Sequence, residues 1–299
     1  PRTGEQMRIQ SVNYAAQTIR VAERALAGTA TALVDNDQLR RIATNFAEGA
    51  SAGTTLLREA DVTTNFAEIV KTSVDWTNTE LASWSYLGQG KKSRKMHDRR
   101  NAMIQHTIDL EQTLLFSKKA KVTDSTTGKV LRKTDGLIAQ ITTNIYNHGA
   151  SAAMTEAEFN TNVLERVFKV GNRTKFVLAS PRLCSLLDGY GRAGLQTDSE
   201  TTKMIGIEVK EYISSHGRLK VIPHPLFTGY LYGRAGLIFD PEYLGLAILR
   251  DTKLETDIQN KKDDGVQDQW LTELGLDLKL QETCAFFYGI DTGTDGGLP

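Results

Sequence analysis

The longest helical pattern of the chain runs from about Ser93 to Lys118. Apolar or small residues recur there at helical spacing, so they fall on one narrow stripe of the helix surface. A long helix with one apolar side predicts packing along a β-sheet. The stripe consists of Met96, Met103, Thr107, Leu110 and Leu114, widened by Ile104, Ile108 and Leu115.

Two shorter helices are predicted from their ends. Thr155 and Glu158 form a capping box before a helix over about Glu156 to Val170, and Gly171 supplies its stop. Farther along, Ser180-Pro181 provides an N-cap and a first-turn proline for a short helix. Both helices therefore have well-defined starts.

The clearest strand pattern lies near the C-terminus, where two alternating runs flank the turn Lys261–Gly265. One face of this antiparallel pair is apolar, so we expect it to pack against the long helix. The alternating residues are Thr252, Leu254, Thr256 and Ile258, then Leu274, Leu276, Leu278 and Leu280. Further strands are predicted over Phe66–Trp76, Lys175–Ala179, Ile205–Ile213, Arg218–Ile222, Gly236–Phe239 and Leu244–Leu249. Helices and strands mixed in this way indicate the α+β class.

The order of these elements, after a loop-like N-terminal region rich in small residues, resembles the major capsid protein of tailed bacteriophages with the Hong Kong 97-type fold. Local sequence resembles the SU-ten-like siphophage capsid family over about residues 60 to 290. The segments that carry the resemblance are NFAEIVKTSVDWTNTE (Asn65–Glu80), LEQTLLF (Leu110–Phe116), DGLIAQITTNI (Asp135–Ile145), SPRLCSLLDGY (Ser180–Tyr190), GLIFDPEYLGLAIL (Gly236–Leu249) and WLTELGLDLKLQETCAFFYGI (Trp270–Ile290).

The resemblance implies a domain plan. Residues 1–75 would form an N-terminal arm and the E-loop. Residues 76–135 would form the first part of a P-domain, with a spine helix at about 93–118. Residues 136–245 would form an axial A-domain, and residues 246–299 would complete the P-domain with a C-terminal β element.

The resemblance also implies a structural role without catalysis. Copies of the chain would form homo-pentamers and homo-hexamers of an icosahedral shell that encloses double-stranded DNA. Portal and scaffolding proteins would be partners, with decoration proteins an open addition. The expected location is the virion, assembled in the host bacterial cytoplasm, with no membrane partner. An encapsulin-like nanocompartment shell is the alternative reading of the same fold.

Some relatives join neighbouring subunits covalently through a lysine on the E-loop. This chain has no lysine before Lys71, so we expect noncovalent contacts. The resemblance places these contacts on charged residues of the first domain, although the same residues would also suit a solvated loop. The candidates are Arg24, Arg40, Arg41, Glu48, Arg58 and Glu59.

Composition restricts the other function classes. The chain has 36 basic and 36 acidic residues and a formal net charge of zero, so it lacks the basic excess typical of tight nucleic-acid binding. Only non-specific proximity to DNA is expected. Two cysteines, Cys184 and Cys284, have no metal-ligand spacing, and we expect them to be reduced.

One glycine motif calls for comparison with a nucleotide site. Gly189, Gly191 and Gly194 match GxGxxG, but they come after a predicted helix, whereas a dinucleotide loop follows a strand and opens a helix. We interpret them as an axial turn of the A-domain, and a nucleotide-binding enzyme is the remote alternative. The five histidines lack metal-ligand spacing, so they are expected at the surface or at interfaces, and no cofactor or metal is expected.

Overall fold

The computed structural model describes residues 5–13, 16–30, 32, 34, 39–42, 48–51, 62–83, 91–149, 153–190 and 210–290. The chain forms two compact units, Pro1–Asp61 and Val62–Pro299. The strands are β1 Gln6–Asn13, β2 Thr18–Ala27, β3 Glu68–Thr77, β4 Ala120–Thr123, β5 Val130–Lys133, β6 Ile145–Asn147, β7 Thr174–Ala179, β8 Lys210–Ile213, β9 Arg218–Pro223, β10 Ala235–Phe239, β11 Leu244–Glu255, β12 Gly265–Leu278 and β13 Ala285–Tyr288. The helices are α1 Asn78–Ala82, α2 Lys91–Phe116, α3 Leu137–Gln140, α4 Glu156–Glu158, α5 Glu165–Val167, α6 Pro181–Tyr190 and α7 Gly229–Tyr232.

The first unit contains an antiparallel hairpin of β1 and β2. Its strands are rich in β-branched residues, which favour extended backbone. The pairing places Ile9 opposite Val21 and Val12 opposite Ile19. The sequence pattern predicts only a loop-like region here, because the apolar residues of the hairpin do not alternate regularly. The register shifts in three places along β1, and this irregularity explains why the apolar residues do not alternate regularly.

The second unit contains a six-stranded sheet in the order β6-β13-β10-β7-β9-β8. The residues of β7 alternate between buried and half-buried positions, as expected for a strand within a sheet. The main core lies against this sheet and includes Phe159, Leu183, Leu219 and Phe287, none of which is exposed to solvent.

A three-stranded antiparallel sheet in the order β11-β12-β3 forms the other layer of the second unit. The predicted C-terminal hairpin is therefore confirmed, and β12 is its central strand. Leu274 and Leu276 are buried at 6% and 5% exposure, while Leu278 and Leu280 are half-buried. Leu276 joins a second core cluster with Leu115 at the C-terminal end of α2.

Helix α2 confirms the predicted long helix, but its predicted apolar stripe is wrong in the N-terminal half. Met96 is 73% exposed and Ile104 is 53% exposed. The buried positions are instead Ala102 and His106. Consecutive helical residues are about 100° apart around the helix axis. The buried face of α2 is rotated from the predicted apolar stripe by about this angle.

A group of polar contacts explains the turned face, and we call it the polar seam. Side chains of α2 bond there to residues of β3 and β12, because β12 presents polar residues to the helix. Trp76 Nε1 donates to Asp98 Oδ2 at 2.8 Å, and Arg99 Nε donates to Asp268 Oδ2 at 2.7 Å. The seam consists of Thr72, Trp76, Asp98, Arg99, His106, Asp268 and Thr272.

The predicted helix starts are confirmed, and the capping box of Thr155 and Glu158 has both of its reciprocal hydrogen bonds. The predicted end at Val170 is wrong, because the helix ends at Val167 and is capped by Phe168. Gly171 has a left-handed φ of 81° but lies in the loop beyond that cap. At the start of α6, the Leu183 amide donates to Ser180 Oγ at 3.3 Å. A π-helical turn, Phe159–Leu164, lies between α4 and α5, which the sequence does not signal.

Two of the expected domain boundaries cut through sheet elements. The boundary at residue 75 falls inside β3, whose whole length pairs with β12. The segment 246–299 includes β13, which pairs with β6 and β10 of the six-stranded sheet. The assignment of these strands to a P-domain or an A-domain stays a prediction.

Candidate functional site: exposed surfaces of the subunit

The hairpin of the first unit exposes much of its apolar surface. Ile9, Val12, Ile19 and Leu26 are 47%, 44%, 44% and 55% exposed. Among the described residues, every buried hydrophobic side chain belongs to the segment from Trp76 to Ile290. An isolated two-stranded hairpin is marginally stable in water, so this unit needs a further surface to bury its apolar pairs.

Arg24 lies on β2 and forms a bidentate ion pair with Glu5. Its Nε donates to Glu5 Oε1 at 2.9 Å and its Nη2 donates to Glu5 Oε2 at 2.8 Å. The hydrogen bond to this carboxylate raises the pKa of the Arg24 guanidinium. Arg24 was a candidate for contact with a neighbouring subunit, and that role stays a prediction.

The other candidate contact residues are less constrained by the structure. Arg40 and Arg41 lie on exposed irregular backbone, and Glu48 lies in an exposed turn. Arg58 and Glu59 lie outside the described residues. Their role in subunit contacts therefore stays a prediction.

Strand β11 is an exposed apolar edge of the three-stranded sheet. Leu246, Ile248 and Leu249 are 54%, 55% and 69% exposed. An edge strand presents unpaired backbone N–H and C=O groups, so an apolar edge is a template for pairing with another chain. The register shifts along β11 begin only after Ile248, which leaves its first half regular.

The structure places Gly189 inside α6, near its C-terminal end, where it is exposed. It does not open a helix, as the first glycine of a dinucleotide loop would. Gly191 and Gly194 lie outside the described residues, so the axial turn stays a prediction.

The expectation that the histidines lie at the surface is wrong for two of them. His106 is fully buried in the polar seam, with Nδ1 2.9 Å from Thr72 Oγ1 and Nε2 2.8 Å from Thr272 Oγ1. His224 is 7% exposed, and its Nε2 lies 2.7 Å from Glu111 Oε1. Hydroxyl and carboxylate partners satisfy these rings, which is why burial is tolerated.

Burial also affects the ionisation of two groups in the second unit. Burial lowers the pKa of His106, and the negative charge of Asp109 offsets part of this shift by raising the pKa. Burial likewise lowers the pKa of Lys175, which lies 3.7 Å from Asp240 Oδ2 with both side chains enclosed. Lys175 Nζ also donates to the carbonyl oxygens of Val170 and Thr283, each at 3.0 Å. These contacts connect Lys175 to three separate segments of the second unit.

No group of three His, Cys, Asp or Glu side chains in the described part of the chain is arranged to hold a metal ion. None of the described helices has the length and apolar character needed to span a bilayer.

Comparisons with known proteins agree with the fold. Among solved structures, the chain is similar to the Cyanophage A-1(L) capsid asymmetric unit, with 12% identity and a TM-score of 0.52, over 76% of this chain and 78% of that chain. It is also similar to the satellite phage P4 procapsid, with 12% identity and a TM-score of 0.47, over 87% of this chain and 84% of that chain. A third similar structure comes from Mycobacterium phage Patience, with 10% identity and a TM-score of 0.48, over 83% and 78%. The predicted α+β, Hong Kong 97-type fold is confirmed.

Sequence comparison gives the family. Among curated proteins, no sequence matches. The family model of the SU10 major capsid protein matches residues 9–291, which is nearly the whole chain. The chain belongs to the SU10 major capsid protein family.

Proposed function

We propose that copies of this chain associate into pentamers and hexamers that close into the icosahedral shell of a tailed phage. As a member of a structural family, the protein is a component of the virion capsid. Double-stranded DNA would be the content of the shell. Portal and scaffolding proteins would be its partners during assembly, and decoration proteins would be an optional addition to the shell.

The observation that carries this proposal is the exposed hairpin of the first unit. The pairs Ile9–Val21 and Val12–Ile19 gain stability only when apolar area is removed from water, at roughly 25 cal/mol per Å². No described residue of the first unit has a buried hydrophobic side chain. A second copy of the chain can supply the missing surface, since closed symmetry repeats one contact around the shell.

We propose that the β11 edge of a neighbouring copy receives this hairpin. The edge offers Leu246, Ile248 and Leu249 at more than half exposure, together with the backbone groups on the side of β11 that faces away from β12. The first unit would then be the N-terminal arm and E-loop, and Arg40, Arg41 and Glu48 would form contacts around the apolar centre. The P-domain and A-domain divisions would follow the two sheets of the second unit, with β13 in the A-domain sheet.

No catalytic step is part of the proposal. The nucleotide alternative depends on a glycine loop that opens a helix, and Gly189 lies near the end of α6 instead. The nanocompartment alternative shares the fold, and the family match favours a phage shell over it. The contents of purified particles separate these two shells, because a nanocompartment holds protein and a phage shell holds DNA.

The test is the particle mass of the full chain, measured by sedimentation with imaging of the same fractions. The wild type is expected as pentamers, hexamers or closed shells. Val12→Asp with Ile19→Asp puts charge on the apolar face of the hairpin and is expected to stop assembly at smaller species. Thermal unfolding of the second unit should stay unchanged, because its core contains neither residue.

The matched control is Ser11→Asp with Thr18→Asp, which adds the same charge to polar positions of the hairpin. This variant is expected to assemble like the wild type. A wild type that stays monomeric or dimeric at every concentration, also with co-expressed phage proteins, would refute shell formation. Equal assembly of both variants would refute the role of the hairpin.

A further inference from the structure

A second exposed hairpin, formed by β4 and β5, concentrates positive charge. Residues 118–133 contain six basic residues and one acidic residue, although the whole chain has a formal net charge of zero. Every residue of β5 is exposed, and so are the last three residues of β4. The basic residues are Lys118, Lys119, Lys121, Lys129, Arg132 and Lys133.

The strand register brings like charges together on this hairpin. Lys121 lies directly opposite Arg132, so both side chains lie on the same face of the strand pair. Like charges in directly opposite positions destabilise an antiparallel pair. The two positive charges therefore repel each other while the hairpin stays in water. An anionic partner bound to both would replace this repulsion with attraction.

The described part of the chain does not supply that anion. Lys118, Lys121, Lys129, Arg132 and Lys133 form no ion pair with any described residue. The one acidic residue, Asp124, is used to build the turn: it accepts from the Thr126 amide at 3.0 Å and from Thr127 Oγ1 at 2.5 Å. These hydrogen bonds lower the pKa of Asp124.

The base of the hairpin is fixed to the second unit. The Thr134 amide donates to Glu68 Oε2 at 3.1 Å, and the Lys119 amide donates to Asp135 Oδ1 at 3.0 Å. Thr134 is fully buried. The basic face is thus held at a defined position on the second unit.

We propose that the basic face of the β4–β5 hairpin binds the phosphodiester backbone of double-stranded DNA without reading its sequence. The inference rests on the proposed function, since it names the surface through which a shell subunit would contact enclosed DNA. Unpaired cations bind phosphates by releasing condensed counterions. Such contacts position a protein on the duplex and carry no base information.

Composition favours a duplex over an acidic protein surface. Four of the five unpaired basic residues are lysines, and lysine is depleted in protein–protein interfaces but common at phosphates. Residues 118–133 contain no aromatic side chain, so they lack the stacking platform typical of single-strand binding. Val122, Val130 and Leu131 are also exposed on this hairpin, and the test includes an acidic protein partner for that reason.

The experiment measures binding of a short mixed-sequence duplex to full-length protein held as open oligomers, before a shell closes, between about 50 and 200 mM salt. Lys121→Thr with Arg132→Thr removes both charges and keeps residues that suit a strand. The affinity is expected to fall about tenfold, and the slope of log affinity against log salt by about 2, one for each lost phosphate contact. Lys261→Thr with Lys262→Thr, beside Asp263 and Asp264, removes equal charge elsewhere and should leave the slope unchanged.

Each outcome separates this inference from the proposed function, because particle formation is scored in the same preparations. Equal duplex binding by open oligomers with and without the Lys121 and Arg132 charges would overturn the inference, while normal particle formation would leave the proposed function intact. Equal losses in both double variants would also overturn it. Tighter binding of polyglutamate than of duplex would assign the hairpin to an acidic protein instead. Failure of the wild type to form particles would count against the proposed function.

Discussion

His106 is an ionisable residue held in its neutral form by its surroundings. Its ring is enclosed between Thr72 and Thr272, and burial lowers its pKa below the ordinary value of 6.5. Below about pH 6.5 the unfolded chain binds a proton that the folded chain does not. The free energy of unfolding therefore falls as the pH drops from about 6.5 towards the folded pKa, by up to about 1.4 kcal/mol per pH unit.

We predict that His106→Gln removes this contribution to the acid sensitivity of the protomer. Denaturant unfolding at pH 7.5 and at pH 5 would measure it, as a smaller difference between the two pH values than in the wild type. His97→Gln changes an exposed histidine of the same helix and should keep the wild-type difference. An unchanged difference in His106→Gln would contradict the prediction.

Lys175 and Asp240 form a buried ion pair, so the loss of either partner leaves a charge without compensation. We predict that Lys175→Met lowers the free energy of unfolding by about 3 to 5 kcal/mol. The double variant Lys175→Met with Asp240→Asn should lose less than the sum of the single variants, because it leaves no buried charge. Chemical denaturation of the four proteins gives the coupling.

The control for this cycle is Lys169→Met, which removes an exposed lysine paired with Glu165 at 3.5 Å. Its effect should be within about 0.5 kcal/mol, as is usual for an exposed helical pair. Additive losses for Lys175 and Asp240 would show that the pair is not energetically coupled.

At the scale of elements, helix starts were predictable because their signals are local. Thr155 and Glu158 lie within one helix and its flank, and both have the predicted role. The face of α2 was not predictable in the same way. Its orientation depends on Asp268 and Thr272, which are more than 160 positions away from their partners Arg99 and His106. Apolar spacing alone cannot reveal that a helix packs through hydrogen bonds.

The capping box gives the prediction at this scale. Thr155→Ala removes the side chain that accepts from the Glu158 amide, and we expect a loss of about 1 kcal/mol in the free energy of unfolding. Thr155→Ser keeps the hydroxyl and should stay close to the wild type. Equal losses in both variants would assign the effect to the methyl group instead of the cap.

At the scale of the whole molecule, most of the fold could be predicted from the order of the elements along the chain. The long helix, the C-terminal hairpin and the α+β class followed from periodicity, and the family followed from short segments in a fixed order. Charge was misleading at this scale, since a net charge of zero conceals the basic segment 118–133. The β1–β2 hairpin was missed because its exposed apolar residues have no regular period within one chain.

Assembly is expected to protect that hairpin from proteases. In the unassembled protomer, trypsin should cleave after Arg8 and Arg20, both exposed on the hairpin. In particles, cleavage at these sites should slow strongly, because opening of the hairpin would require loss of the contact with a neighbour. Mass spectrometry of the fragments identifies the sites. The Val12→Asp, Ile19→Asp variant should stay sensitive, and equal cleavage of protomers and particles would contradict a buried hairpin.

The positions of β12 and β13 have a consequence for biosynthesis. Strand β12 separates β11 from β3, and among the described strands only β13 pairs with β6. Both sheets therefore lack a member until residues 265–288 have left the ribosome. Since non-local pairing must wait for its partner, a nascent chain cannot complete either sheet. We therefore expect translation products that stop before residue 265 to lack a strand of each sheet and to be unable to enter a particle.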